Sequence, residues 1–174
     1  MKLQLGCGRH LIPGWWNTDL RELPGVDQAV DLERPLPFET DSVDEVFGRS
    51  VIEHVQNIQS LMAELYRVTK PGGILRFLVP HPSGIFAFRD WTHVRFFTLH
   101  TFDFYVEGTP FDFYYPGVRF NILERKLQFT TGRFAFLNFL SWVVNLHPAL
   151  QDIWERFCWI FPMDNILFTL EVVK

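Results

Sequence analysis

Three stretches of this sequence have residue types and spacing suited to chemistry. The first is a short strand, Leu3 to Leu5, that runs straight into Gly6-Cys7-Gly8. A Gly-x-Gly turn at the C-terminal edge of a sheet lets backbone approach a ligand closely, where open α/β folds bind ligands. Asp19 ends the next predicted strand, and a carboxylate there accepts both hydroxyl hydrogens of a ribose. Asp31 ends the third. The second stretch is Arg89-Asp90-Trp91-Thr92-His93-Val94-Arg95, which concentrates charge and imidazole within an aromatic segment. Asp90 and His93 there either pair, with the aspartate orienting the ring and His93 accepting a proton, or serve a turn and local packing. The third is Glu53-His54, with Glu53 spaced as the reciprocal partner of Ser50 in a helix capping box. His81, His93 and His100 with Asp90 and Asp103 offer ligand-type groups without compact spacing, and no metal site is expected.

Other ligand chemistries lose ground by spacing. The third glycine of a dinucleotide fingerprint would fall near Leu11, and no Lys-Ser/Thr pair follows the turn as a phosphate loop requires. An NAD-dependent oxidoreductase therefore fits Asp19 but not the glycines.

The elements that must position these residues follow from period and punctuation. Trp15 to Leu20, Asp27 to Leu32 and Val43 to Gly48 read as further strands, with too few residues between the first two strands for a full crossover helix. The first helix is thus truncated to a turn or so over Arg9 to Ile12. Ile58, Leu61, Met62 and Leu65 hold helical spacing up to Lys70-Pro71-Gly72-Gly73, and Ile74 to Val79 reads as a central strand buried on both faces. Ser83 to Gly117 is an aromatic insert, and Val118 to Phe129 and Ile166 to Val173 are late strands. Asn138, Ser141 and Asn145 form a polar stripe within the uncharged stretch from Phe134 to Gln151, which marks an amphipathic helix and not a membrane span.

At this point the chain resembles the class I S-adenosylmethionine-dependent methyltransferases, particularly the small methyltransferase type 11-like family. The matching pieces begin with Leu3-Gln4-Leu5-Gly6-Cys7-Gly8, Asn17-Thr18-Asp19-Leu20 and Val30-Asp31-Leu32. They continue with Leu36-Pro37-Phe38, Ser42-Val43-Asp44-Glu45-Val46, Val51-Ile52-Glu53-His54-Val55 and Arg67-Val68-Thr69-Lys70-Pro71-Gly72-Gly73. Each is common, but their order and spacing together are specific over residues 1 to about 80. The resemblance implies a doubly wound, Rossmann-like, mostly parallel α/β sheet of the seven-stranded methyltransferase type, with a truncated first helix and a C-terminal antiparallel hairpin. It implies S-adenosylmethionine as cofactor, with Gly6, Cys7 and Gly8 passing under its methionine and ribose. By the same carry-over Asp19 holds the ribose hydroxyls, Leu20 lies against the adenine, Asp31 accepts from the adenine amine beside Leu32, and Ser50 lines the methionine end. His54 then either faces the methyl acceptor or is structural. Gln4 departs from the family, many of whose members carry an acidic residue there.

Length and composition bound the rest. At 174 residues, with 48% hydrophobic, 17% aromatic and 21% charged, the chain suits one folded domain: a cofactor half (1–80), the aromatic insert (81–118), then late strands and the helical region (119–174). A net charge of −4 disfavours nucleic-acid binding, and two cysteines make no disulfide framework. No signal peptide is read at the N-terminus, so the cytoplasm is the expected compartment. Expected partners are a small-molecule or glycan-type acceptor, no nucleic acid, and through the aromatic surface a second copy or a membrane surface. The rival reading is a cofactor-binding or cofactor-dead interaction protein that kept the sheet.

Overall fold

The computed structural model describes residues 1–129 and 135–174, so Phe134, where the predicted amphipathic stretch starts, lies outside the described residues. Seven strands form one sheet: β1 (Lys2–Leu5), β2 (Trp16–Asp19), β3 (Gln28–Ala29), β4 (Val43–Arg49), β5 (Thr69–Pro80), β6 (Phe120–Gln128) and β7 (Asn165–Val172). Their order is β3-β2-β1-β4-β5-β7-β6. The first five run parallel, and β7 inserts antiparallel between β5 and β6. This is the α/β sheet with a C-terminal hairpin that the sequence predicts.

One face is the core. Leu3, Leu5, Val46, Leu75, Phe77, Ile166 and Phe168 are buried there with Leu61, Met62 and Leu65 of helix α1 (Ile58–Val68). The aromatic insert completes this layer, for Phe102 stacks on Phe77 and meets Phe168 edge-on. On the opposite face Glu45 bonds Lys2 at 2.8 Å and also pairs with Arg76. That corrects the expectation for Ile74 to Val79: burial alternates along the strand, because Arg76 and Leu78 point to the polar, half-buried face.

The connection from β1 to β2 holds no helix, as its length requires. Two buried amides stitch it instead. Gln4 donates to the His10 carbonyl (2.8 Å) and accepts from Ile12 N–H (3.2 Å), while Asn17 accepts from the same N–H (2.9 Å). The departure at Gln4 therefore supports the short loop, since an ionised carboxylate could accept from Ile12 but could not donate to His10. The third strand is shorter than predicted: only Gln28–Ala29 pairs with β2, and the chain turns at Asp31, whose carboxylate accepts from Glu33 N–H at 3.0 Å.

The capping box at Ser50 and Glu53 is absent. Ser50 has a left-handed φ of 50°, a single helical turn spans Ile52–His54, and α1 starts later, capped by Asn57 through Ser60 N–H. A short helix α2 (Phe86–Arg89) opens the insert, and α3 (Asn138–Val144) and α4 (Pro148–Arg156) follow β6. Helices α3 and α4 bond the C-terminal part of the outer edge of β6. Ser141 accepts from Phe129 N–H, Asn145 bonds both Leu127 N–H and its carbonyl, and Gln151 donates to the Arg125 carbonyl. Of the predicted polar stripe, Ser141 and Asn145 thus face inward, and Phe139, Trp142, Leu146 and Ile153 are left exposed.

Candidate active site

Two cavities meet at the C-terminal ends of the parallel strands. The first, about 540 Å³, is lined by Gly6, Asp19, Leu20, Asp31, Leu32, Ser50 and His54. Gly6 has φ 56°, and a Cβ there would run into the Val51 side chain, so only glycine keeps the turn open. Asp19 is fixed by the turn it faces: its Oδ2 accepts from Gly8 N–H at 2.8 Å and its Oδ1 from Arg21 N–H at 3.1 Å. Cys7 is not on the cleft wall. Its side chain is buried and its N–H bonds the Thr18 carbonyl at 2.9 Å, which ties the turn to β2. Gly8 likewise contributes backbone geometry and no wall.

The second cavity, about 670 Å³, is lined by Arg49, Ser50, Glu53, Arg89, Asp90, Trp91 and His93, with Asn165 of β7. Ser50 belongs to both cavities. Its left-handed backbone, held by an N–H bond to the Leu78 carbonyl (2.9 Å), lets the chain turn sharply between them. Such a conformation costs a non-glycine residue of order 1–2 kcal/mol. The insert is pinned here by Val94 and Arg95, whose N–H groups both donate to the Glu53 carbonyl at 2.9 and 3.1 Å.

The predicted site residues converge, but in different pairs. Asp90 does not bond His93; its Oδ1 accepts from Thr92 N–H (2.9 Å) and from the Thr92 hydroxyl (2.7 Å), closing a tight turn two residues long. These bonds hold its carboxyl below the usual range. Thr92 in turn meets His54 Nδ1 at 2.8 Å, so the aspartate orients His54 through a hydroxyl. His93 donates from Nδ1 to the Ala87 carbonyl (2.9 Å) and points Nε2 at Glu53, 3.9 Å away. The two imidazoles lie edge to face at 4.7 Å. Burial, then the charge of its neighbour His93, keeps His54 easier to deprotonate than usual.

Glu53 is the residue that sequence reasoning missed. It is 1% exposed, neither carboxylate oxygen has a hydrogen-bond partner, and burial pushes its carboxyl up to about 7. The Ser-x-x-Glu spacing masked it as a cap, and only the left-handed turn at Ser50 shows otherwise. His81 and His100 lie apart from this cluster, engaged with Ser83 and Glu155 and with Asp103 and Asp152.

The donor set and dimensions of the first cleft fit a nucleoside-bearing cofactor: a carboxylate at the end of β2, a glycine turn beneath, and a volume within the usual 300–1,000 Å³ of ligand sites. Residues 3–77 match the family model of a methyltransferase domain. No curated protein matches the chain. Among solved structures the fold is similar to an S-adenosylmethionine-dependent methyltransferase from Mesorhizobium loti, at 16% identity, 98% of this chain, 89% of that chain and a TM-score of 0.55. It is also similar to one from Archaeoglobus fulgidus, at 18% identity, 98% and 85% coverage and a TM-score of 0.59. A phosphoethanolamine N-methyltransferase from Haemonchus contortus, solved with S-adenosylhomocysteine, aligns at 16% identity over 99% of this chain and 48% of its own, with a TM-score of 0.53. The matched segment contains the glycine turn, Asp19, Asp31 and the Glu53-His54 pair, and these solved structures share the fold over nearly the whole chain.

Proposed function

We propose that the protein transfers the methyl group of S-adenosylmethionine to a small-molecule or glycan-type acceptor held in the 670 Å³ cavity. The observation that carries this is the shared wall at Ser50, which sets the cofactor cleft directly beside a second cavity of substrate size. The cofactor supplies an electrophilic methyl on a sulfonium; the chain supplies position. Gly6 and Asp19 hold the nucleoside side, with Leu20, Asp31 and Leu32 around the base. In-line displacement depends chiefly on orientation, which is worth several kcal/mol when the reacting atoms are held in near-attack geometry.

The acceptor side is polar at its rim. Arg49 and Arg89 line it, with no ion-pair partner for either guanidinium among the described residues. Two unpaired guanidinium groups suit an acceptor bearing carboxylate, phosphate or sugar hydroxyls. His93 faces this cavity and His54 faces the cofactor cleft, so the imidazole pair stands between the acceptor and the methyl group to be transferred. Asp90 is a positioning residue for His54.

No described helix is long and apolar enough to cross a membrane. The exposed Phe139, Trp142, Leu146, Ile153 and Trp159 offer the surface for a second copy or a membrane face. Titration with S-adenosylmethionine, followed by an acceptor screen with His93→Gln, tests the reading. Turnover that depends on Asp19 rejects a cofactor-dead interaction protein, and failure to bind the cofactor at millimolar concentration overturns the proposal.

A further inference from the structure

We propose that Glu53, His54 and His93 form a binding site for one divalent transition-metal cation of the zinc type. One ligand atom from each of the three lies within 4.8 Å of the others. The carboxylate of Glu53 is 99% hidden in the sense that its side chain is 1% exposed, yet both oxygens lack a partner, and 3.9 Å to His93 Nε2 is too long for a hydrogen bond. A buried carboxylate without partners is costly, and a cation is the group that would offset that cost at both oxygens. Two donors on a tetrahedral zinc ion stand about 3.3 Å apart, so small side-chain rotations close the set.

The imidazoles are arranged as ligands in their tautomers. The Thr92 hydroxyl donates to Asp90, so its oxygen accepts from His54 Nδ1; His93 Nδ1 donates to the Ala87 carbonyl. Both rings therefore carry the free lone pair on Nε2. A second ring nitrogen anchored to a carboxylate relay or a backbone carbonyl is the outer arrangement that metal-bound histidines use. Two nitrogens and one carboxylate favour zinc, cobalt or iron over magnesium or calcium, and three protein ligands leave a position for water or substrate.

The role, though not the binding, rests on the proposed methyl transfer. A hydroxyl of the acceptor on the open position loses its proton to solvent, its oxygen pair forms the bond to the methyl carbon, and the carbon–sulfur pair leaves with sulfur as S-adenosylhomocysteine. This keeps the chain's own histidines as ligands instead of free bases.

The test uses the full chain, stripped with chelator and titrated with Zn²⁺ by calorimetry and with Co²⁺ by visible absorption, with Mg²⁺ as control. One cation per chain is expected, weakened at least tenfold by Glu53→Gln and by His54→Gln, and unchanged by Asp19→Ala. If Glu53→Gln fails to fold, the half-buried His54 carries the test. No saturable Zn²⁺ or Co²⁺ binding, binding unaltered in His54→Gln, or binding abolished by His100→Gln overturns the proposal. Cofactor binding without cation binding sinks this inference alone; cation binding without cofactor binding sinks only the methyltransferase reading.

Discussion

Asp19→Ala is the perturbation that bears most directly on the cofactor cleft. The carboxylate already accepts from Gly8 and Arg21 N–H groups, which aims its remaining lone pairs into the cleft and fixes them before any ligand arrives. A ribose presents two hydroxyl donors to such a group, and each hydrogen bond to a charged acceptor is worth about 1.5–3 kcal/mol. Because the two oxygens are shared with backbone donors, the loss of one full bond is the appropriate lower figure. That corresponds to a fall in affinity from roughly tenfold to about 150-fold. The variant also leaves Gly8 N–H without its acceptor, so the fold must be checked alongside. Calorimetric titration with S-adenosylmethionine and S-adenosylhomocysteine, with thermal unfolding in parallel, separates the two effects. Asp19→Asn keeps one acceptor oxygen and should fall between the two. An Asp19→Ala protein that folds and binds either ligand within about threefold of the wild type would refute the assignment, since no single charge-assisted bond is that weak.

Other consequences are equally direct. Gly6→Ala places a Cβ into the Val51 side chain at a left-handed φ of 56°, so cofactor affinity should collapse with a stability loss of at least about 1–2 kcal/mol, measured by titration and chemical unfolding. Asn145→Ala strips both Leu127 N–H and its carbonyl of partners on the edge strand; a loss of about 2–3 kcal/mol and aggregation visible by light scattering should follow, and a variant as stable and monodisperse as wild type would contradict the edge account. His100 is pulled down by burial but raised on balance by Asp103 and Asp152, against Arg125 and with Glu155 nearby, so its folded pKa exceeds its unfolded one. Its contribution is present in full below the unfolded value of about 6.5 and is lost as pH rises through the folded value. The melting temperature of His100→Gln should therefore fall below that of the wild type at about pH 6 and converge with it at about pH 8.

Much of the cofactor half was legible because its signals are local. A Gly-x-Gly turn after a short strand, a carboxylate at the end of the next and helical spacing from Ile58 to Leu65 each describe a feature that forms among near neighbours. Even the missing first helix was legible, as too few residues separate the strands. The amides that replace it, Gln4 and Asn17, read only as a departure and as part of a motif, because their partners lie across the loop.

What tertiary structure alone decided is where side chains from distant segments meet. Asp90 and His93 are three residues apart, yet the turn closed by Thr92 gives each a different partner, and His93 meets Glu53 from another element. Ser50 and Glu53 fit a capping box by spacing, but the chain enters a left-handed turn and buries the carboxylate against the 670 Å³ cavity. The polar stripe near Ser141 and Asn145 pointed to an amphipathic helix, while the open edge of β6, some dozen residues away in sequence, turned that stripe inward. Spacing along a chain specifies local hydrogen bonds and burial period; which unsatisfied donor, acceptor or charge lies opposite is fixed only when the sheet is assembled.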